Sequence, residues 1–595
     1  MKKYAEREEI QKEVSENLKA YPELFRKLLV ARGLDTREKA EEFLNPNFET
    51  GVHDPFLLKD MDKAVARILR AMADGERILI YSDYDADGIP AAVVMHDFFK
   101  LVDYDNFEIY IPHRHTEGYG LHLEAIETFV EKKIKLLITL DCGIVDHAEV
   151  ARAKELGIDV IITDHHTPSE KLPDAFAVIN PKRADCDYPY KMLCGAGVGF
   201  KLVQALLRSL DGKRSCEGVA RIERSETECK SLAKTAPKPG QEKWLLDMVG
   251  LATLSDMVPL DGENRVFAHY GLKVLRKSRR PGFTKLLSIM KVNKQFLTED
   301  DVGFMITPRI NAASRMGVPT DAFHLLSTAE ESRAEELASH LDLINKERKV
   351  LVGVTVKEIK KILSEREDHF LGKQVIVLGN PLWRPAILGL AANTIAEEHG
   401  KPVFLWGRED GKDIKGSCRA GGAVHVVRLM EKARGHFKEF GGHAFSGGFA
   451  VLPELVHTLE EALNDAFAAL GHETETPEPE IFDAVLALDE VNFNLYNQIE
   501  KLAPFGTGNP KPLFMFQNVK PKEVKMFGKA KEHLELAFQV GASSPKKLRA
   551  IGFFMKPEDF AVQPKTGLPI NLLATLEKSY FGRYPELRLR IVDII

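Results

Sequence analysis

Five short apolar runs recur between residues 77 and 180, separated by stretches of helical patterning: RILIYSD (77–83), FEIYI (107–111), KLLITLD (135–141), IDVIITD (158–164) and AFAVIN (175–180). Strands alternating with amphipathic helices predict a parallel sheet covered on both faces, because a parallel neighbour can be reached only through a crossover helix. Three of the runs end on aspartate. In an open parallel sheet the residues just beyond the strand C-termini face one crevice, so the pattern that predicts the fold also predicts where its chemistry sits.

The rest of the chain divides around this α/β core. Residues 1–50 carry helical periodicity, with Thr36 as an N-cap. Region 210–243 is polar and Lys-rich and is expected to be a surface insertion, while CGAGVGF (194–200) lacks the dinucleotide-binding spacing and is expected to serve close helix packing. A long helical pattern runs from Thr328 to about residue 364. Unless Gly353 interrupts it, the helix would span on the order of 55 Å, a rod joining two lobes across a cleft. A second α/β module opens with KQVIVLG (373–379), contains PVFLW (402–406) and ends at the acidic, Pro-containing stretch GHETETPEPE (471–480). Five alternating strands come after it, PLFMFQ, LELAFQV, KLRAIGFF, INLLATLE and ELRLRIVDI, which predict a small antiparallel barrel of the OB-fold kind. The expected fold is therefore multidomain α/β: a helical segment over 1–50, a parallel-sheet domain over 51–326, a connecting helix over 327–370, a second α/β domain over 371–470 and the barrel over 481–595.

Composition limits the setting. With 44% hydrophobic and 29% charged residues, 595 residues make a globular chain of about four domains. No apolar run reaches the roughly 18 residues of a membrane span, and MKKYAEREEIQKEV carries charge where a signal peptide needs an apolar centre. Six cysteines without a C-x-x-C pair argue against a zinc finger and for a reducing cytoplasm. A net charge of −6 means that any nucleic-acid surface must be local.

The acidic residues are concentrated. Asp83, Asp85 and Asp87, followed by Gly88, come directly after the first run; Asp141 ends the third; Asp164, His165 and His166 end the fourth; Asp256 follows the apolar stretch MVGLATLS. Crowded carboxylates raise one another's pKa, a cost that divalent cations remove. Oxygen-rich ligation with some imidazole and no thiolate suits Mn²⁺ or Mg²⁺, and the supply suffices for two ions sharing a bridging carboxylate, a pair able to activate water and hold both oxygens of an in-line phosphoryl displacement. Three other readings stand beside this one. DYDADG also opens an EF-hand loop, but Val94 occupies the position of its bidentate Glu. An aspartyl-nucleophile phosphatase leaves the Asp164-His165-His166 triplet without a task. Helix capping accounts for any single Asp, though not for two adjacent histidines at the same edge.

Taken together, YSDYDADG, TLDCGI, TDHH and LSDMVPL resemble the four motifs of the DHH phosphoesterases. TPRINAASRMG (307–317), GSCRA (416–420) and GGHAFSGG (441–448) are similar to that family's associated second domain and the approach to it. RGLDTREKAEEFLNP, IPHRHTEGYGL and LAPFGTGNPKPLF (502–514) extend the likeness from about residue 25 to the C-terminus, toward the family's single-strand-specific 5′→3′ DNA exonucleases. The resemblance implies that Asp85, Asp87, Asp141, His165 and Asp256 are metal ligands with Asp141 as the bridge. It further implies that His166 ligates a metal or positions the scissile phosphate, and that Asp83 and Asp164 support the ligands from behind. It implies two Mn²⁺ or Mg²⁺ ions, release of 5′-mononucleotides, and a place in DNA repair and recombination. The family's short-oligoribonucleotide and cyclic-dinucleotide hydrolases are the alternative; they generally lack a terminal barrel. A degenerate, non-catalytic recruiting protein is a third possibility, disfavoured by the complete acid and histidine set. The chain departs from the family at Thr307-Pro308 and Ser314, where glycines are common, and at Trp383-Arg384, where Trp-His is usual. None of these positions is a proposed ligand.

A polyanionic substrate also needs cations outside the metal site. Arg114, Ser417 and Arg419 are expected to hold a 5′-terminal phosphate by the same resemblance, and Arg309, Asn311 and Arg315 form a compact block expected to touch substrate. Salt bridges are the competing role for each arginine. His443 is placed on the substrate too, with a structural imidazole as the alternative. From Lys511 to Arg549 nine Lys/Arg face three Glu, so the barrel is expected to bind single strands through its lysines, with most of Phe514, Phe516, Phe527 and Phe538 in its core. Expected partners are single-stranded DNA and a helicase or single-strand-binding protein, with no membrane; the chain is expected to be a cytoplasmic monomer.

Overall fold

The computed structural model describes residues 3–210, 238, 240–408, 413–422, 424–471, 479–541, 547–580 and 584–595. The expected insertion at 210–243 and the expected linker at 471–480 lie largely outside the described residues. The chain forms two compact units: Pro55–Asp256 with Lys273–Glu475, and Met1–Asp54 with Met257–Leu272 and Thr476–Ile595. This grouping differs from a serial succession of domains, since residues from both ends of the chain share the second unit.

In the larger unit, strands β1 (Arg77–Ser82), β2 (Phe107–Tyr110), β3 (Ile134–Leu140), β4 (Asp159–Thr163) and β5 (Ala177–Ile179) form one sheet in the order β2-β1-β3-β4-β5. Every neighbouring pair is parallel. All five expected strands are present, and central ones are buried on both faces, which is why Ile78, Leu79, Ile80 and Tyr81 read as one apolar run instead of alternating. Helix α1 (Gly88–Leu101) follows β1, α2 (Gly195–Leu210) opens on the glycines of CGAGVGF, and α3 (Leu246–Ser255) is apolar around its girth because protein covers it on all sides.

Helix α4 (Thr307–Met316) packs along α5 (Glu331–Glu365), the connecting helix. At 35 residues α5 is about 52 Å long and runs unbroken through Gly353. A mid-helix glycine costs about 1 kcal/mol. That cost is outweighed by burial of Leu337, Leu341 and Ile344 in the first half and Ile359 and Leu363 in the second. The second half packs on α6 (Pro385–His399) of the second module. That module's sheet joins β6 (Ile376–Gly379), β7 (Val403–Arg408), β8 (Ile414–Arg419), β9 (Phe437–Gly442) and β10 (Ser446–Val451) in the order β9-β10-β8-β7-β6.

The other unit centres on a seven-stranded sheet. Strands β11 (Ala484–Val485), β12 (Phe514–Val519), β13 (Glu523–Phe527), β14 (His533–Gln539), β15 (Lys547–Gly552), β16 (Ile570–Ser579) and β17 (Glu586–Ile594) lie in the order β11-β12-β16-β17-β15-β14-β13. Beyond the five expected strands, two more are present: β11 is only two residues long, and β13 is an edge strand with no fully buried position to mark a face. The sheet is also mixed, since β15 pairs parallel with β17 and β11 with β12. Phe514, Phe516 and Phe538 are fully buried as expected, in one core with Leu18, Phe25, Leu28 and Leu29 of the N-terminal helices. Thr36 caps the helix Arg37–Leu44, its hydroxyl accepting from Lys39 N at 3.3 Å. Unforeseen in the sequence, Tyr4–Glu6 forms a strand parallel to Glu480–Phe482.

Candidate metal centre

The acid-bearing turns lie at the C-terminal edge of the parallel sheet. After β1 the chain turns sharply: Asp85 Oδ1 accepts from Asp87 N (2.8 Å) and Gly88 N (3.1 Å), holding the loop open for the start of α1. Gly88 is obligatory there, because a Cβ would collide with the Asp83 backbone and side chain. After β3, Asp141 takes a left-handed φ of 63°, tied by its N–H to Thr163 O at 3.0 Å. Asp256 comes from the C-terminus of α3, so the apolar stretch before it is a helix.

Asp164 is fully buried and organises the third segment. Its Oδ1 accepts from the backbone of His165 (2.7 Å) and His166 (3.0 Å) and lies 2.8 Å from His166 Nδ1; its Oδ2 accepts from Ile144 N at 3.1 Å. That geometry assigns the Nδ1–H tautomer to His166 and leaves its Nε2 for another partner. His165 points into the acids: Nε2 lies 3.1 Å from Asp141 Oδ1, 3.7 Å from Asp87 Oδ2 and 3.8 Å from Asp256 Oδ2.

Three ligand groups result, each with donor atoms within 4.8 Å of one another: Asp87–His165–Asp256, Asp83–Asp85–Asp141 and Asp141–His165–His166. Asp141 belongs to two of them. The electrostatics are those of a cage built around cations. Burial and then Asp85 push Asp87 up to about 7, and burial with neighbouring acids drives Asp83, Asp141 and Asp256 well above the carboxylate range. Burial, with the neighbouring His166, holds His165 down to about 3. Against the upward push of burial, His166 keeps Asp164 low. Asp83 Oδ1 and Asp141 Oδ1 are buried without a hydrogen-bond partner. Orphaned carboxylate oxygens beside a neutral imidazole fit hard divalent cations such as Mn²⁺ or Mg²⁺. Asp83, expected behind the ligands, lies within donor distance of Asp85 and Asp141.

The glycine run at 194–200 does more than pack a helix. Gly195 N and Ala196 N donate to Asp87 Oδ2 (2.6 Å) and Oδ1 (2.7 Å), so the N-terminus of α2 holds this carboxylate in place. A Cβ on Gly195 would fall on the Asp141 carboxylate. Sequence reasoning also missed Tyr119, whose hydroxyl reaches Asp141 O and His166 Nδ1, each at 3.1 Å. Both signals are legible as glycine-bearing blocks, CGAG and GYG, but not as contacts.

The expected substrate residues divide. His443 stacks on His166 with ring centroids 5.8 Å apart, which brings the second module to the acids. It lies in the turn of a β-hairpin in which Gly441 pairs with Gly448 and Gly442 with Gly447, so these glycines form a ladder. Arg114 lies over the Tyr84 ring at 4.9 Å. Ser417 and Arg419 alternate on strand β8, on its partly exposed face. Arg309 and Asn311 are turned to other tasks. Arg309 closes on Asp342 of α5 at 2.7 Å and donates to Met305 O, while Asn311 Oδ1 accepts from Ala86 N at 2.9 Å and so supports the first acidic turn. The departures from the family pattern are accommodated: Thr307 Oγ1 meets Ser255 Oγ, next to Asp256, at 2.5 Å, and Ser314 Oγ donates to Asn311 O.

Comparison with known proteins agrees with this geometry. Residues 77–230 match the DHH family N-terminal domain, residues 372–470 the DHHA1 domain and residues 482–593 the RecJ OB domain. The chain is 34% identical over 545 residues to the single-stranded-DNA-specific exonuclease RecJ of Bacillus subtilis, covering 91% of this chain and 64% of that protein, so the chain spans less than two thirds of that relative's length. It is 30% identical to the Haemophilus influenzae protein of the same name, covering 91% of this chain and 90% of the other. The crystal structure of RecJ in complex with Mn²⁺ from Thermus thermophilus aligns with a TM-score of 0.77 at 25% identity, over 100% of this chain and 79% of that one. Among the described residues no helix is long and apolar enough to cross a membrane.

Proposed function

The chain belongs to the RecJ family of DHH-type, single-stranded-DNA-specific exonucleases, and from that premise we propose that it degrades single-stranded DNA from the 5′ end, releasing 5′-mononucleotides. The observation that carries this reading is the sharing of donor distances by Asp83, Asp85, Asp87, Asp141, His165 and Asp256, contributed by separate turns of one sheet edge and the end of α3.

Asp85, Asp87, Asp141, His165 and Asp256 would hold two divalent cations, manganese or magnesium, with Asp141 between them and Asp83 beside Asp85. When bound, such cations acidify water and offset charge gathering on a phosphoryl group. The protein's own groups do the rest. Asp164 fixes the His166 ring, and the neighbouring rings of His166 and His443 would line one side of the scissile phosphate. Arg114, Ser417 and Arg419 would grip the terminal 5′-phosphate, so that the first phosphodiester lies over the acids. Water adds to that phosphorus, and the 3′-oxygen of the first nucleotide leaves and takes up a proton. The shortened strand keeps a new 5′-phosphate. Lysines of the OB domain would bind strand without reading bases. The same premise supports a cytoplasmic monomer in repair and recombination, working with a helicase or single-strand-binding protein.

The test is a product assay with an end-labelled single strand and Mn²⁺. Mononucleotides from the 5′ end, and none from a blunt duplex, are expected; release from the 3′ end or internal cutting would overturn the reading.

A further inference from the structure

Beyond its first phosphodiester a bound strand still carries one negative charge per linkage, and it must leave the acids over some part of the sheet edge. The strand order β2-β1-β3-β4-β5 sets that edge out in a line. Arg114 follows β2 at one end and lies over the ring of Tyr84, in the turn after β1. The acids and histidines follow β1, β3 and β4. The turn after β5 is the other end, roughly 4.8 Å further along the edge than β4. A strand laid along this edge, with its 5′-phosphate at Arg114 and its first phosphodiester over the acids, therefore continues over the turn after β5.

That turn holds a lysine that nothing else employs. Asn180, buried just past β5, donates from Nδ2 to His166 O at 2.9 Å, and its Oδ1 accepts from Lys182 N at 2.8 Å. Two hydrogen bonds thus tie the Lys182 backbone to the turn that carries the histidines. The Lys182 side chain is half-buried and makes no hydrogen bond or ion pair among the described residues. Its neighbour shows how this turn satisfies a cation whose purpose is structural: Arg183 closes on Asp60 at 2.7 Å and on Asp185 at 2.8 Å. Burial lowers the Lys182 ammonium from its usual range, against the pull of Asp256 and Asp164. Its charge in turn helps to hold down His165 and His443. The ammonium therefore faces the site from its β5 side. Two divalent cations would offset the charges of Asp85, Asp87, Asp141 and Asp256 in full, which leaves the ammonium in want of another anion.

We propose that Lys182 binds the second phosphodiester of the single strand, the linkage immediately 3′ of the one over the acids, and so fixes where the strand leaves the metal centre. The inference rests on the 5′→3′ reading and on the placing of the 5′-phosphate at Arg114, Ser417 and Arg419. It adds a strand contact at the β5 end of the edge, opposite the end that Arg114 occupies.

The experiment measures binding by fluorescence anisotropy, with Mn²⁺, of a 5′-phosphorylated single strand whose first linkage is a 3′-methylene phosphonate, charged but not hydrolysable. The second, third or fourth linkage is replaced singly by a neutral methylphosphonate, and the wild-type chain is compared with Lys182→Gln and Lys182→Arg. Neutralising the second linkage should weaken wild-type binding about fivefold, whereas in Lys182→Gln the same replacement should change little, because the contact is already gone. On the fully charged strand Lys182→Gln should bind about fivefold more weakly, with a salt dependence shallower by about 0.7 in log–log slope. Lys182→Arg keeps the charge and should follow the wild type. Losses that simply multiply would mean that Lys182 and the second linkage do not meet and would overturn the proposal, as would coupling to the third or fourth linkage in its place. Should thermal melting show that Lys182→Gln does not fold, the wild-type scan decides: a second linkage no more sensitive than the third and fourth overturns the proposal. Release of mononucleotides from the 3′ end of an ordinary strand would instead overturn the exonuclease reading, whatever the scan shows.

Discussion

The imidazoles of His443 and His166 lie nearly parallel, at an interplanar angle of 9° and a centroid distance of 5.8 Å. One ring comes from the turn after β4, the other from the β9–β10 hairpin of the second module, so the second module brings an imidazole to the edge of the acid cluster. His443→Ala should therefore lower kcat, by about a hundredfold, the range expected of a positioned imidazole. Steady-state hydrolysis with Mn²⁺ measures it, and a variant within twofold of wild type would remove His443 from the site.

Asp164 is the hub on which both histidines are oriented, through four hydrogen bonds from Ile144 N, His165 N, His166 N and the His166 ring. Asp164→Asn keeps the volume but loses acceptor strength at the ring. Mn²⁺ affinity by calorimetry should fall on the order of 10–100-fold, as for other groups that orient ligands from behind. An unchanged affinity would show that His165 and His166 are held by the backbone alone.

Gly195 sits where two of the clustered acids meet, donating to Asp87 while leaving room for Asp141. Gly195→Ala should displace the Asp141 carboxylate. Mn²⁺-dependent thermal stabilisation should vanish, with the metal-free melting temperature shifted by only a few degrees. Retention of that stabilisation would mean that the turn can move aside without loss of the cage.

Arg309, expected on the substrate, is instead committed to Asp342 with both side chains mostly buried. Arg309→Ala should destabilise the larger unit by about 2 kcal/mol, because Asp342 keeps Lys346 at 2.6 Å and is not left wholly unpaired. Denaturant unfolding reports this, and the kcat/KM ratio between 5′-phosphate and 5′-hydroxyl strands should stay as in the wild type. A selective loss on the phosphorylated strand would return Arg309 to the substrate.

The contrast between Arg309 and Arg315 marks where the sequence stops being legible. Both arginines lie six residues apart in one block, and nothing in TPRINAASRMG tells which one meets a carboxylate thirty-odd residues away on α5. The acids are legible because their positions at strand ends fix them through topology: β1, β3 and β4 are neighbours in a parallel sheet, so the turns leaving these strands must share an edge. Asp256 is legible only as a motif, since it arrives from a helix and no strand pattern leads to it. That Asp83 approaches Asp85 and Asp141 is not legible, because a D-x-D-x-D spacing does not reveal which carboxylate a turn directs inward. Strand β13 escapes notice for a different reason: an edge strand with neither face buried leaves no apolar alternation to read.

The central claim is that separate acidic turns hold two cations with Asp141 common to both. Anomalous diffraction from Mn²⁺-soaked crystals tests it most directly. Two manganese peaks are predicted among these residues, both in contact with Asp141, one also touching Asp87, His165 and Asp256 and the other Asp85. A single peak, or two peaks of which only one touches Asp141, would contradict the account.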